Sequence, residues 1–256
     1  MTGAVGRLLL VPNTLDLGTQ AVDIQQVLPL GVLHAAAALQ HWVAEDARST
    51  RAFLKRVHAV VPLARPIQAI EIIELPRPTK GGAHSSAAND QPWRELLAPA
   101  LAGQDIGLIS EAGMPAVADP GAALVTAAHK LSIPVLALPG PSALLLGLAA
   151  SGLNGQSFAF VGYLPQDAGE RTMRLRELQA LSRRHAQTQL VIETPYRNAA
   201  LLDAMVNALD GDTRLSVSCG LTSASGWTRS ERVAQWRARP QHMPERVPAV
   251  FAFLAG

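Results

Sequence analysis

Cysteine is nearly missing. Cys219 is the one thiol in 256 residues, so the chain can form neither an intramolecular disulfide nor a thiolate metal cluster. Aromatic residues make up 4% and charged residues 16%. So little charge argues against extensive disorder, and so few aromatics work mildly against a surface for stacking flipped bases. A clean long apolar run is also lacking. The longest, from Leu136 to Leu153, is broken by Pro139, Gly140 and Pro141, whereas a membrane span needs about 18 or more unbroken residues. No export cleavage pattern follows Met1 to Val11. The expectation is a soluble cytoplasmic protein. Several signatures are missing too: no GxGxxG follows the first apolar run, and no GxxxxGK[ST], GxSxG or HExxH occurs. These absences speak against a conventional dinucleotide fold, a P-loop enzyme, an α/β hydrolase and a zinc protease. The seven histidines are scattered, and no metal is expected.

What is present is apolar: 48% of the residues, much of it Ala, Leu and Val. That suits helices packed on a buried sheet. The net charge of +2 permits an anionic partner without demanding one. Apolar runs predict strands at Gly6–Pro12, His41–Asp46, Pro66–Leu75, Ile106–Ser110 and Ile133–Leu138, and later at FAFVGYLP, TQLVIETP, LSVSCGL and VPAVFAFLA. Helical spacing predicts helices at Leu30–Leu39, Thr50–Val57, Trp93–Leu101, Ala122–Lys130, from PGPSA to about Ala150, Arg171–Arg183 and Arg197–Leu209. On the second of these, Arg51, Lys55 and Arg56 are expected to face solvent. The segment Pro76–Pro92, rich in Pro, Gly, Ser and Asn, reads as a mobile loop. Strand–loop–helix units between residues 106 and 150 predict parallel strands with right-handed crossovers. The late strands predict a mixed sheet, a composition shift follows Ser151–Gln156, and a second domain is expected to start near residues 141–155.

Chemistry-bearing residues gather where strands end. The loop Ser110–Gly121 (SEAGMPAVADPG) combines small residues and prolines with two acids, Glu111 and Asp119. Such a loop lets a ligand approach the backbone; alternatively, Asp119 caps the next helix. Pro139-Gly140-Pro141-Ser142 opens a helix whose free amides suit polar or anionic groups, or which Ser142 simply caps. Glu193-Thr194-Pro195-Tyr196-Arg197 ends another strand with acid, phenol and guanidinium. Glu45-Asp46-Ala47-Arg48-Ser49 ends a fourth. There Asp46 or Ser49 is a cap candidate, and Arg48 a candidate partner for an anion. Arg171, Arg174, Arg176, Arg183 and Arg184 form a basic stretch, which reads as a phosphate contact or a solvated face.

SEAGMPAVADPG, PGPSALLLGLAASGL, FAFVGYLP and IETPYRN, in this order and spacing, resemble the tetrapyrrole methylase superfamily. Within it the chain is similar to the branch of the small-subunit ribosomal RNA methyltransferases. The resemblance implies an α/β, two-domain fold with a cofactor cleft between the domains. Residues 1–140 would form an N-terminal domain with a mainly parallel sheet, carrying acceptor and cofactor loops. Residues 141–256 would form a C-terminal domain with a mixed sheet. It also implies a homodimer and S-adenosyl-L-methionine as cofactor. Its cofactor-binding residues would be Pro12, Ser110, Ala112, Gly113, Ala116, Val117, Asp119, Pro139, Gly140, Ser142, Thr194, Tyr196, Cys219 and Leu221. Ala44–Lys55 matches an AEDTR-like region of the family, which places Glu45, Asp46 and Arg48 on the substrate side; Arg48 and Arg197 are the candidates to hold a substrate phosphate.

Expected chemistry is in-line methyl transfer, in which the protein positions groups and excludes water. An RNA ribose 2′-hydroxyl acceptor would benefit from a general base, for which Glu111 is the first choice and Asp46 the second. Other readings stay open: a tetrapyrrole or other small acceptor, or a non-catalytic protein that binds the cofactor. The chain also departs from the branch. VPNTLDLG replaces a TPIGNLGD-like loop, Glu111 and Met114 interrupt an SDAGTP-like run, Thr194–Arg197 replace SPHR, and CGLTSASGW replaces RELTK-E. ELPRPTKGG stands where the branch carries a histidine-containing segment.

Overall fold

The computed structural model describes residues 4–17, 22–76 and 91–256. Most of the expected Pro76–Pro92 loop, and Gly18 in the loop after the first strand, lie outside the described residues. The chain divides into two compact units, Met1–Pro141 and Ser142–Gly256.

The first unit is built on five strands: β1 (Leu8–Leu10), β2 (His41–Ala44), β3 (Glu71–Glu74), β4 (Ile106–Ile109) and β5 (Val135–Ala137). All pairings are parallel, in the order β3-β2-β4-β1-β5. Alternation sorts their side chains between two cores. Leu9, Trp42, Ala44 and Ile109 face α1 (Leu30–Ala38) and α2 (Ala47–His58) on one side. Leu8, Val43, Ile106 and Leu108 face α4 (Ala98–Leu101) and α5 (Ala122–Lys130) on the other. A strand buried on both faces needs apolar residues throughout, which explains LLL and IGLI. Gly107 has no side chain because a Cβ there would lie 2.8 Å from the Trp42 ring.

Neighbouring strands β1 and β4 lead into helices on opposite faces, α1 on one and α5 on the other. Their loops therefore part at the carboxyl edge of the sheet and leave a crevice there, the usual ligand position in such sheets.

Three details differ from expectation. Within Pro66–Leu75 only Glu71–Glu74 pairs as a strand; Pro66 starts a 3-10 turn at Ile67–Ala69. The helix expected over Trp93–Leu101 is broken at Leu97 into α3 (Gln91–Leu96) and α4, since Pro99, in the first turn of α4, has no N–H to continue the hydrogen-bond ladder of a helix running through it. Arg56 is not solvated: its side chain is only 12% exposed.

The second unit holds β6 (Phe158–Phe160), β7 (Thr188–Ile192), β8 (Arg214–Cys219), β9 (Trp227–Arg232) and β10 (Ala249–Leu254). Their order is β6-β7-β10-β8-β9, with β6 and β7 parallel and the other pairs antiparallel. Helices α7 (Ala168–His185) and α8 (Asn198–Ala208) cover one face through Leu175, Leu178, Leu201 and Met205. α6 (Ala143–Ser151) covers the other, where Gly147 brings the helix close to Val250. A short helix, α9 (Val233–Ala238), follows β9 and buries Trp236, whose Nε1 donates to Leu215 O at 3.0 Å. The sequence pattern revealed neither β9 nor α9. The fold is α/β, with a parallel first sheet and a mixed second one. Among the described residues no helix is long and apolar enough to cross a membrane.

Candidate functional site

In the first unit, the loop after β1 and the loop after β4 are tied together across the crevice. Asn13 N–H donates to Gly113 O (2.9 Å), and Gly113 N–H donates to Asn13 O (3.2 Å). The Asn13 amide Nδ2 donates to the carbonyls of Ser110 (3.2 Å) and Glu111 (3.0 Å), while its Oδ1 accepts from Thr14 N–H (2.8 Å). Asn13 is 5% exposed, so these bonds satisfy a side chain that burial alone would penalise. Thr14 Oγ1 donates to Asp16 Oδ1 at 2.6 Å. Arg56, reaching up from α2, donates to Thr14 Oγ1 (3.0 Å), Asp16 Oδ1 (3.2 Å) and Val22 O (2.7 Å).

The Ser110–Gly121 loop holds its shape with four left-handed residues: Gly113, Ala116, Ala118 and Gly121. In the two alanines this conformation costs about 1–2 kcal/mol each, a strain that the surrounding packing must sustain. After β5, Gly140 lies directly over Pro12; a Cβ there would come within 2.2 Å of the proline ring. Pro12, Gly113 and Gly140 thus bring three backbone segments together with almost no side chain between them.

Carboxylates ring this edge. Asp46 caps α2, its Oδ1 accepting from Ser49 N–H at 2.6 Å. Glu74 accepts from Ala47 N–H at 2.9 Å. These two acids occupy the start of α2 and place negative charge beside the exposed Arg48. Glu45 Oε2 accepts from Glu111 N–H at 3.1 Å. Burial, then the charges of Glu45 and Asp46, push the Glu111 carboxyl above its ordinary range. Burial, then Glu45 and Glu111, push Asp119 further, to about 7. The Ser110 hydroxyl faces Asp119 and opposes that rise, although its Oγ falls outside hydrogen-bonding geometry. Asp119 does not cap the next helix: the cap position of α5 is Gly121, with no side-chain bond.

Of the expected residues in this unit, the structure brings together Pro12, Glu45, Asp46, Ser110, Glu111, Gly113, Asp119 and Gly140 at one edge of the sheet. Ala112, Ala116 and Val117 lie along the same loop, and Val117 is 46% exposed. Pro139 leads out of β5. Sequence reading missed Asn13, Thr14, Asp16 and Arg56. The available signal was a polar run, NTLD, directly after a buried strand.

In the second unit, Ser142 precedes α6 but its side chain makes no capping bond. Glu193, at the end of β7, is 8% exposed. Its Oε1 accepts from Thr194 N–H (2.7 Å), from Arg197 Nε (3.1 Å) and from Arg197 Nη2 (2.8 Å). Arg197 is thus paired with Glu193, and its side chain stays 28% exposed. Its guanidinium also lies 5.4 Å from the Tyr196 ring, which is 74% exposed. Cys219 is 1% exposed within the core, and burial raises its thiol pKa, which keeps it unreactive. Leu221 packs against the core beneath α6. Among the described residues no group of three or more His, Cys, Asp or Glu side chains could hold a metal ion.

The family described as Tetrapyrrole (Corrin/Porphyrin) Methylases matches residues 32–239. Ribosomal RNA small subunit methyltransferase I of Mesorhizobium japonicum is 43% identical over 128 residues, 50% of this chain and 42% of that protein. The protein of the same name from Vibrio cholerae is 35% identical over 144 residues, 56% of this chain and 49% of that protein. The matches thus span under half the length of these relatives. Among solved structures, the fold matches uroporphyrin-III-C-methyltransferase from Thermus thermophilus with a TM-score of 0.52 at 16% identity, covering 97% of this chain and 92% of that one. The methyltransferase CobJ matches with a TM-score of 0.56 at 13% identity, covering 98% and 100%.

Proposed function

The chain belongs to the tetrapyrrole (corrin/porphyrin) methylases, and from that premise we propose that it transfers a methyl group from S-adenosyl-L-methionine to ribosomal RNA, at a ribose 2′-hydroxyl. The observation that carries this reading is the crevice in the first unit. Gly140 packs on Pro12 and Gly113 on Leu15, which draws the three loops together at this edge, and the loops are set in advance by the Asn13 and Arg56 bonds. A positively charged cofactor suits an edge lined by Glu45, Glu111 and Asp119. When bound, that cofactor supplies an electrophilic methyl group on a sulfonium.

Ala112, Gly113, Ala116 and Val117 shape the pocket wall, with Pro12, Pro139 and Gly140 opposite. In the second unit, Ser142, Thr194, Cys219 and Leu221 remain candidates through backbone atoms, and Tyr196 through its exposed ring. Asp46 is committed to capping, which leaves Glu111 and Asp119 as the acids able to accept a proton. Glu45 and Arg48 flank them on the acceptor side. The similarity to small-subunit ribosomal RNA methyltransferases supports RNA as acceptor. The same reading carries a homodimer working in the cytoplasm, which light scattering and fractionation would test.

Calorimetric titration with S-adenosyl-L-methionine is the direct test of the cofactor. Micromolar binding is expected, lost in Gly113→Trp, followed by transfer of labelled methyl to small-subunit RNA. If folded protein binds no cofactor, with or without that RNA, the proposal fails.

A further inference from the structure

The acids at the carboxyl edge of the first sheet do not all have structural work. Asp46 and Glu74 are engaged at the start of α2, and Glu45 holds the Glu111 amide. Asp119 is different. It caps nothing, and among the described residues no amide or guanidinium donates to it. Beside it lies the Ser110 hydroxyl, 2% exposed, facing this carboxylate with its Oγ unpartnered. A buried hydroxyl left in this state costs about 1–3 kcal/mol, which marks the spot as incomplete. The acids do not converge as metal ligands do, so a diffuse organic cation suits the arrangement better than a compact ion.

We propose that Asp119, Glu111 and Glu45 receive the positive charge of the cofactor, its sulfonium or its ammonium group, and that a proton leaves Asp119 as the cation arrives, so that Ser110 Oγ–H turns to donate to the new carboxylate. This rests on the cofactor reading above. The bookkeeping of charge is simple: one proton passes from the Asp119 carboxyl to solvent, and no covalent bond to carbon or sulfur changes.

The surroundings support the coupling. The charged groups facing Asp119 are Glu45 from the end of β2 and Glu111 from its own loop, both negative; Ser110 is the polar group that opposes them. Burial and these charges hold the Asp119 carboxyl near 7, so about half of the molecules carry the proton at pH 7. A nearby cation favours the ionised form. Because the cation needs the carboxylate, affinity weakens as pH falls below 7, by up to about tenfold per pH unit, and levels off above it.

The test is calorimetry with S-adenosyl-L-methionine at pH 7 in phosphate and in Tris, whose ionisation heats differ widely. The expected result is a buffer-dependent heat equivalent to release of about half a proton, shrinking at pH 8 and lost in Asp119→Asn. S-adenosylhomocysteine, which keeps the ammonium and lacks the sulfonium, locates the charge. Release with both ligands assigns the ammonium to the carboxylates; release with the first alone assigns the sulfonium. Binding with equal heats in both buffers would overturn this inference while leaving the methyltransferase reading intact. No binding by folded protein would overturn both.

Discussion

Replacing Arg56 with leucine removes the cation that holds the loop after β1. The side chain is 12% exposed and its partner Asp16 only 3%, so the pair is screened far less than one on the surface. Three contacts go at once: 3.2 Å to Asp16, 3.0 Å to Thr14 and 2.7 Å to the Val22 carbonyl. Removing one partner of a buried pair costs about 3–5 kcal/mol because the other charge stays buried. Thr14 still donates to Asp16 at 2.6 Å, which places the expected loss near the lower end, about 3 kcal/mol. Arg51→Leu is the matched control, an exposed arginine on the same helix with one long bond to the Ala47 carbonyl; its cost should stay within about 0.5 kcal/mol. Two units make a single global unfolding energy ill-defined. Hydrogen exchange read peptide by peptide in rising urea scores the first unit separately. If Arg56→Leu and Arg51→Leu lie within about 1 kcal/mol of each other, the network does not hold the loop, and the claim that the crevice is set in advance loses its basis.

Gly140→Ala drives a Cβ into the Pro12 ring, 2.2 Å away. Neither proline nor backbone can yield cheaply, so cofactor affinity should drop at least about tenfold with a stability loss of about 1–3 kcal/mol; Gly31→Ala, in α1 with nothing within 4 Å, should instead stabilise by about 0.5–1 kcal/mol. Glu193→Gln keeps the shape but removes the charge that Arg197 and the Thr194 amide bind; about 2 kcal/mol should be lost from the second unit in urea, with little change in the first. Asp119→Asn has a pH signature. In the folded chain the carboxyl sits near 7 rather than 3.8, so ionising it costs stability as pH rises from about 4 to about 7. The variant should match wild type near pH 4 and exceed it at pH 8 by about 2 kcal/mol, roughly half of the full displacement because the group is only half-buried. A gap that stays constant across that range would contradict the assignment.

Where burial decides structure, the residues announced it. The runs LLL and IGLI are apolar at every position because both faces of β1 and β4 are covered. Likewise α5 falls at Ala122–Lys130, the expected bounds, between a Pro-Gly start and a turn. β9 is the opposite case. WTRSER alternates exposed and half-buried residues, and after Trp227 its half-buried positions are filled by Arg229 and Glu231. Their charges are matched by each other and by Arg239, and the Arg229 guanidinium lies 4.0 Å from the Trp236 ring. None of those partners is visible in a local window, so a strand on the edge of the sheet looks like a polar loop. The crevice follows the same division. Small residues and prolines identified the Ser110–Gly121 loop, since they are needed wherever backbone must be approached. The bonds that fix it come from Asn13, 97 and 98 residues away, and Asn13's own loop is held by an arginine whose spacing on α2 pointed to solvent. The acids divide in the same way. Four of them look equivalent as letters beside strand ends. Asp46 becomes a cap because its neighbour Ser49 presents an amide three residues on. Glu45 becomes a clamp because β4 pairs next to β2. Asp119 is left without such a task only because Gly121, with φ +129°, starts α5 beyond its reach. Local spacing was enough to show that the site is acidic. Which acid remains available to a ligand was decided by strand order and by a single glycine, whose φ of +129° and 2.9 Å approach to Leu108 leave no room for a capping side chain at residue 121.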